Sequence, residues 1–401
     1  MPAHNSPLLS YGRHLVDEDD VAAVAVVLRG DRLTGGPAVD AFEAALARAT
    51  GAVHAVACSS GTAALHLAAM ALGLGPGDAV VVPTVTFLAT ANAVRFVGAD
   101  VIFADVDSKT GLMGPAHLEA ALAGRANAKA VLPVHLAGQS PDTAAIGGIA
   151  RQRGLAVVED ACHALGTTIG DGGERAGDCR HGDMAVFSFH PVKAVAMGEG
   201  GAVTTNDPVL RDRLRMMRNH GMTRIAGDFL NKELAFDAAG EANPWYYEMA
   251  EAGFNYRASD IHCALGLSQL RKLARFVERR RTLAARYDEL MKPLAPVLRP
   301  LGRVTGCRPA WHLYVVLIDF DKAGISRAKL MRALHAKGIG TQVHYIPIHA
   351  QPYYQRLYGA RELPGAATYY RRCLTLPLHA GMDDTDVERV TAALAEALKT
   401  G

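Results

Sequence analysis

From about residue 51 to 210 the chain alternates short β-branched apolar runs with stretches whose apolar residues recur at helical spacing. The strand-like runs are VHAVAC (53–58), AVVVP (79–83), DVIFADV (100–106), AKAVLPVH (128–135), LAVVED (155–160), AVFSF (185–189) and GAVTTN (201–206). Helical patterns such as GTAALHLAAMALGL and PDTAAIGGIARQR lie between many of them. This alternation predicts an α/β fold: a mostly parallel seven-stranded sheet covered on both faces. In such sheets the ligand crevice lies beyond the carboxyl ends of the strands. Residues just after strands therefore carry the most weight.

Residues 222–253 lack a clear period and read as an extended excursion. One long amphipathic helix is predicted over about 258–291. A second αβ segment follows: strand HLYVVLIDF, helix SRAKLMRALHAKG, strand GTQVHY, and a terminal helix DDTDVERVTAALAEALK with an aspartate cap. The simplest partition is a large domain over 1–257, then a linking helix and a smaller carboxyl-terminal domain over 258–401.

Composition narrows the class. A 401-residue chain that is 50% apolar can bury a large core and a smaller one. A net charge of +2 gives no electrostatic case for nucleic acid or an anionic membrane. The basic run at 278–287 reads as a solvated helix face. The opening residues have no apolar stretch of signal-peptide length, and no 18-residue apolar run appears. The six cysteines show no CxxC and no regular spacing, which fits reduced thiols and a cytoplasmic protein. The 16 histidines form no compact ligand pattern, so no metal is expected.

Three strand ends carry chemistry. In CSSGTAALHLAAM (58–70) a strand gives way to a small-residue turn and a helix opening at about Thr62. Free N–H groups there suit a phosphate, or the segment is an ordinary turn. GLGPGD (73–78) follows a helix and so is no dinucleotide fingerprint. In LAVVEDACHALG (155–166) Asp160 ends an apolar strand, with His163 three residues on. It either caps the next turn or holds a heterocyclic nitrogen protonated. In VFSFHPVKAVAMGEGGAVTTND (186–207) Lys193 sits among Phe187, Phe189 and Val192. Such a lysine is a surface turn residue or an amine kept from water for Schiff-base chemistry. Phosphate cradle, carboxylate and lysine together match one cofactor, pyridoxal phosphate.

These segments also resemble a family. LTGGPAVDAFE, SSGTAALHLA, PTVTFLATANAV, VEDACHALG, SFHPVKAVAMGEGGAVTTND, RNHGM, GFNYRASDIHCALGLSQL and HLYVV fall in the order found in the DegT/StrS nucleotide-sugar aminotransferases, fold type I pyridoxal-phosphate enzymes. The resemblance implies that Lys193 carries the covalent link to pyridoxal 5'-phosphate and shuttles protons. Asp160 would pair with the ring nitrogen, and His163 would lie by the phenolic oxygen. Phe87 would stack on the ring, and Gly61, Thr62 and Ser188 would bind the phosphate. Asn255 would reach the phosphate of a neighbouring subunit, which implies a homodimer with shared sites. Relatives with dehydratase chemistry replace the lysine by histidine; here the lysine is intact. The tail QVHYIPIHAQPYYQRLYG and PWYYE are most similar to the pseudaminic-acid branch. That similarity implies amination by L-glutamate at C4 of a UDP-linked 4-keto-6-deoxy sugar. C3 or C4 amination of another nucleotide keto sugar, of 4-amino-arabinose or perosamine type, is the alternative; a non-catalytic cofactor-binding regulator is the alternative of another class. His220, His344 and Tyr345, and more weakly Thr34 and Gly35, are candidate substrate contacts.

Overall fold

The computed structural model describes residues 8–170 and 172–399. Seven strands form the large sheet: β1 His54–Cys58, β2 Ala79–Pro83, β3 Asp100–Ala104, β4 Ala128–Val131, β5 Ala156–Asp160, β6 Met184–Ser188 and β7 Gly201–Thr205. Their order is β1-β7-β6-β5-β4-β2-β3. All pairings from β3 to β6 are parallel, whereas β7 runs antiparallel to both β6 and β1. The reversal follows from connection length. Only residues 189–200 join β6 to β7, with no crossover helix, and so short a link returns the chain antiparallel. That link carries Lys193.

Both faces are buried by alternation along each strand. Val56, Val80, Val82, Val158, Val186 and Val203 pack on one side with helices Gly61–Ala71 and Leu88–Phe96. Ala55, Ala57, Ala185, Phe187 and Ala202 face the other side, against helix Pro37–Thr50. A second core gathers around the antiparallel strands Leu298–Pro300, Tyr314–Ile318 and Cys373–Leu376 and helices Leu273–Met291, Arg327–Ala336 and Asp384–Lys399. Asp383 caps the last helix, accepting the Asp386 N–H at 2.9 Å.

Three elements differ from the sequence reading. The stretch 258–291 is two helices, Asp260–Arg271 and Leu273–Met291, broken at Lys272. The first packs on helices Glu18–Leu28 and Pro37–Thr50, the second on the terminal helix, so one straight axis cannot serve both. Lys272 turns its ammonium to Asp17 and Asp20. Residues 340–345 make one isolated bridge, Gln342 with Thr375, rather than a strand. The ladder ends there because the Val343 N–H is taken by the Gln342 side chain. The fourth strand stops at Val131, ahead of Pro133, which has no N–H to donate.

The 222–253 excursion contains the pair Met222–Thr223 with Glu248–Met249 and exposes Leu230, Trp245, Tyr247 and Met249. Among the described residues no helix is long and apolar enough to cross a membrane. No group of His, Cys, Asp or Glu among them could hold a metal ion. All six cysteines are free thiols.

Candidate active site

A cavity of about 560 Å³ opens at the carboxyl ends of β1, β2, β5 and β6. Lys193, Asp160, His163, Gly61, Thr62, Ser188, Phe87, His344 and Tyr345 all line it. Residues spread over the whole sequence therefore meet in one place: the strand ends of the large sheet bring the first seven, and the 340–345 segment brings His344 and Tyr345.

Asp160 is buried, and its carboxylate is fixed at both oxygens. Thr90 Oγ1 donates to Oδ2 at 2.7 Å and the Cys162 N–H to Oδ1 at 3.2 Å. Thr86 and Thr90 join hydroxyls at 2.8 Å behind it. Its neighbour Glu159 points to the opposite face and pairs with the buried His135 at 2.9 Å.

Lys193 is half-buried because its chain opens onto the cavity, and protein surrounds it elsewhere. Loss of water lowers its pKa, against a smaller opposing pull from Cys162 and Asp160. The loop that presents it is closed by Lys193 N–H to His190 carbonyl (2.8 Å) and by Phe189–Gly200 and Met197–Phe189 bonds, each 2.9 Å.

Helix Gly61–Ala71 starts at the cavity wall. Its cap Ser60 takes the Ala63 N–H through Oγ at 3.1 Å, which leaves the first N–H groups of the helix without helical partners. Gly61 is dictated by closeness: a Cβ there would stand 2.8 Å from Ser188 Cβ.

His163 is neutral, since burial and the nearby Lys193 hold its pKa well below the ordinary value. Its Nδ1 accepts the Ala137 N–H at 3.3 Å, so the proton sits on Nε2, which meets Tyr345 Oη at 3.2 Å. Both ring nitrogens thus have protein partners. His312 lies 4.3 Å away, ring to ring. His344 bonds Thr375 at 2.8 Å and is held down at about 3 by burial.

Four further sequence candidates lie outside this chain's cavity. Thr34 and Gly35 are exposed beside Ser259; His220 and Asn255 are exposed and adjacent, joined through the Asn219–Asn255 bridge and the His220–Phe254 backbone bond. Sequence reasoning missed Thr90, His312, Tyr11 and Glu199, which all line the cavity. Thr90 had a signal: two threonines one helical turn apart just after an apolar strand.

The model of the DegT/DnrJ/EryC1/StrS aminotransferase family matches residues 14–395. The chain belongs to this family. It is 40% identical over 394 residues to the Bacillus subtilis (strain 168) spore coat polysaccharide biosynthesis protein SpsC, covering 98% of this chain and 97% of the relative. Helicobacter pylori PseC, an aminotransferase involved in the biosynthesis of pseudoaminic acid, superposes with a TM-score of 0.88 at 28% identity, over 98% of this chain and 100% of that one. The Streptococcus pneumoniae putative sugar aminotransferase Spr1654 in its PLP-form gives 0.86 at 26% identity, over 98% and 99% of the two chains. Its PMP-form matches equally well, at 0.86 and 26%. The fold type I expectation therefore holds: this DegT-family protein is a pyridoxal-phosphate-dependent sugar aminotransferase.

Proposed function

We propose that the protein transfers the amino group of L-glutamate to C4 of a nucleotide-linked 4-keto-6-deoxy sugar, most closely UDP-4-keto-6-deoxy-N-acetyl-L-altrosamine. The observation that carries the reading is the meeting of Lys193, the doubly held Asp160 and the open helix start at Gly61 in one cavity. The likeness to PseC over the whole chain supports the sugar.

The residues present fit pyridoxal phosphate. The N–H groups of Gly61 and Thr62 with the Ser188 hydroxyl suit its phosphate, and the missing Cβ at Gly61 gives room for Ser188 to stand beside them. The bound cofactor supplies an electron sink and a carbon that accepts amines. Asp160, unable to turn away from its two donors, would pair with the ring nitrogen and favour its protonated form. Phe87, on the cavity wall, would cover one ring face. Lys193 Nζ, whose pKa is lowered by loss of water, would carry a proton between the substrate carbon and the bound cofactor. His344 and Tyr345 stand where the sugar would lie. Asn255, exposed outside its own cavity, completes the site of a second copy, which makes the working form a homodimer in the cytoplasm.

The 40% identity to SpsC favours a second reading, amination of another nucleotide keto sugar. Incubation with L-glutamate and UDP- or dTDP-linked 4-keto and 3-keto sugars, followed by NMR of the product, tests both. A new C4 amine on the UDP-linked N-acetyl sugar supports the first reading. Turnover only with another keto sugar supports the second, and no turnover with any sinks the function.

A further inference from the structure

A second cavity, of about 250 Å³, shares no lining residue with the first. Arg13, His14, Leu15, Val16, His379 and Gly381 form it. His379 is only 4% exposed, and its Nδ1 is buried without a hydrogen-bond partner. A Cβ on Gly381 would stand 3.5 Å from that nitrogen and 3.9 Å from the Leu15 side chain. The unpaired nitrogen thus lies just behind Gly381, within contact distance of the space a side chain there would take. The charged groups that act on His379 are Arg280 and Arg13, both cations. Arg280 is itself buried and gives its Nη1 protons to the carbonyls of Trp311, His312 and Leu378 rather than to a carboxylate. Its Nε is also unpaired. A recess with two guanidiniums near it, a buried donor in its wall and no acidic lining residue attracts anions. Its size lies below that of pockets for drug-sized ligands, which points to a small ion.

We propose that this cavity binds a small oxyanion, gripped by the Arg13 guanidinium and the His379 Nδ1–H. The imidazole stays neutral, held at about 4 by burial and the two arginines, so it offers a single N–H rather than a charge. Arg13 supplies the charge and its planar fork the geometry. Gly381 leaves the space for the ion. Leu378 N–H donates to the Tyr11 carbonyl at 3.0 Å, and Tyr11 lines the first cavity. An ion here thus ties the amino-terminal segment to the wall of the active site.

Equilibrium dialysis of the holoenzyme against labelled inorganic phosphate tests this, because the cofactor already fills the helix start at Gly61. The expected result is saturable uptake of one equivalent per chain beyond the cofactor, weakened roughly ten-fold or more by Arg13→Gln and by His379→Gln. Competition by sulfate alone marks a tetrahedral oxyanion; competition by acetate as well marks a site that also takes carboxylates. Arg13 is exposed, so its variant stays informative if the buried His379 variant fails to fold. No saturable uptake, or uptake that Arg13→Gln leaves unchanged, overturns the proposal. Neither result bears on amination, which the product assay decides separately.

Discussion

Thr90 Oγ1 holds Asp160 Oδ2 at 2.7 Å from the first turn of a helix that begins just past β2. The bond matters because a carboxylate stabilises a positive ring nitrogen only when it cannot rotate away. Replacement Thr90→Val keeps the shape and deletes the donor. It is expected to lower kcat roughly ten-fold, or about 1.4 kcal/mol, and to lower the melting temperature as well, because buried Thr86 and Asp160 each lose a partner. Asp160→Asn removes the charge itself and is expected to cost roughly 10²–10³ in kcat. Steady-state kinetics of both variants checks the order.

Gly61 and Ser188 are matched by contact. Gly61→Ala places a methyl 2.8 Å from Ser188 Cβ and is expected to cost about 1–3 kcal/mol of stability and weaken cofactor binding. Adding Ser188→Gly removes the clash and should return part of the stability. Thermal melts of the single and double variants decide this; equal losses in both would show that the contact is not the cause.

Much of this site is legible in the sequence because it sits on strand ends. Asp160 and Lys193 follow apolar runs whose type is unambiguous, and Gly61 opens a helix directly after one. Thr90 and His312 are harder, since each acts through a partner distant in the chain. Residues 340–345 read as a strand from their alternation, yet a side chain takes the Val343 N–H and ends the ladder. The long helix at 258–291 has an unbroken apolar period. Its break at Lys272 comes from packing on two different bodies, which period cannot reveal.

Tyr345 accepts the proton that His163 keeps on Nε2. Tyr345→Phe leaves that buried N–H unpaired and is expected to destabilise the fold by about 1–3 kcal/mol. Adding His163→Phe removes the Nε2–H as well, at the separate cost of leaving the Ala137 N–H unpaired, so the two losses should not add. Denaturant titration of the four-member cycle measures the coupling.

Buried histidines set the acid limit of stability. His379 is held at about 4 and His344 at about 3, both below the ordinary value of about 6.5 in the unfolded chain. The unfolded state then binds more protons as pH falls. Their contribution is present above about pH 6.5 and is lost as pH drops through 6.5 toward 4 and 3. Unfolding free energy should therefore fall between pH 7 and pH 4. His379→Gln should flatten part of that slope; an unchanged slope would assign the acid loss to other groups.

The account turns on Lys193 as the residue joined to the cofactor. Borohydride reduction of the holoenzyme, followed by peptide mass mapping, addresses it directly. The predicted result is a single pyridoxyl tag on the peptide containing Lys193, absent from Lys193→Ala, whose fold survives. A tag on any other lysine, or none, would contradict it.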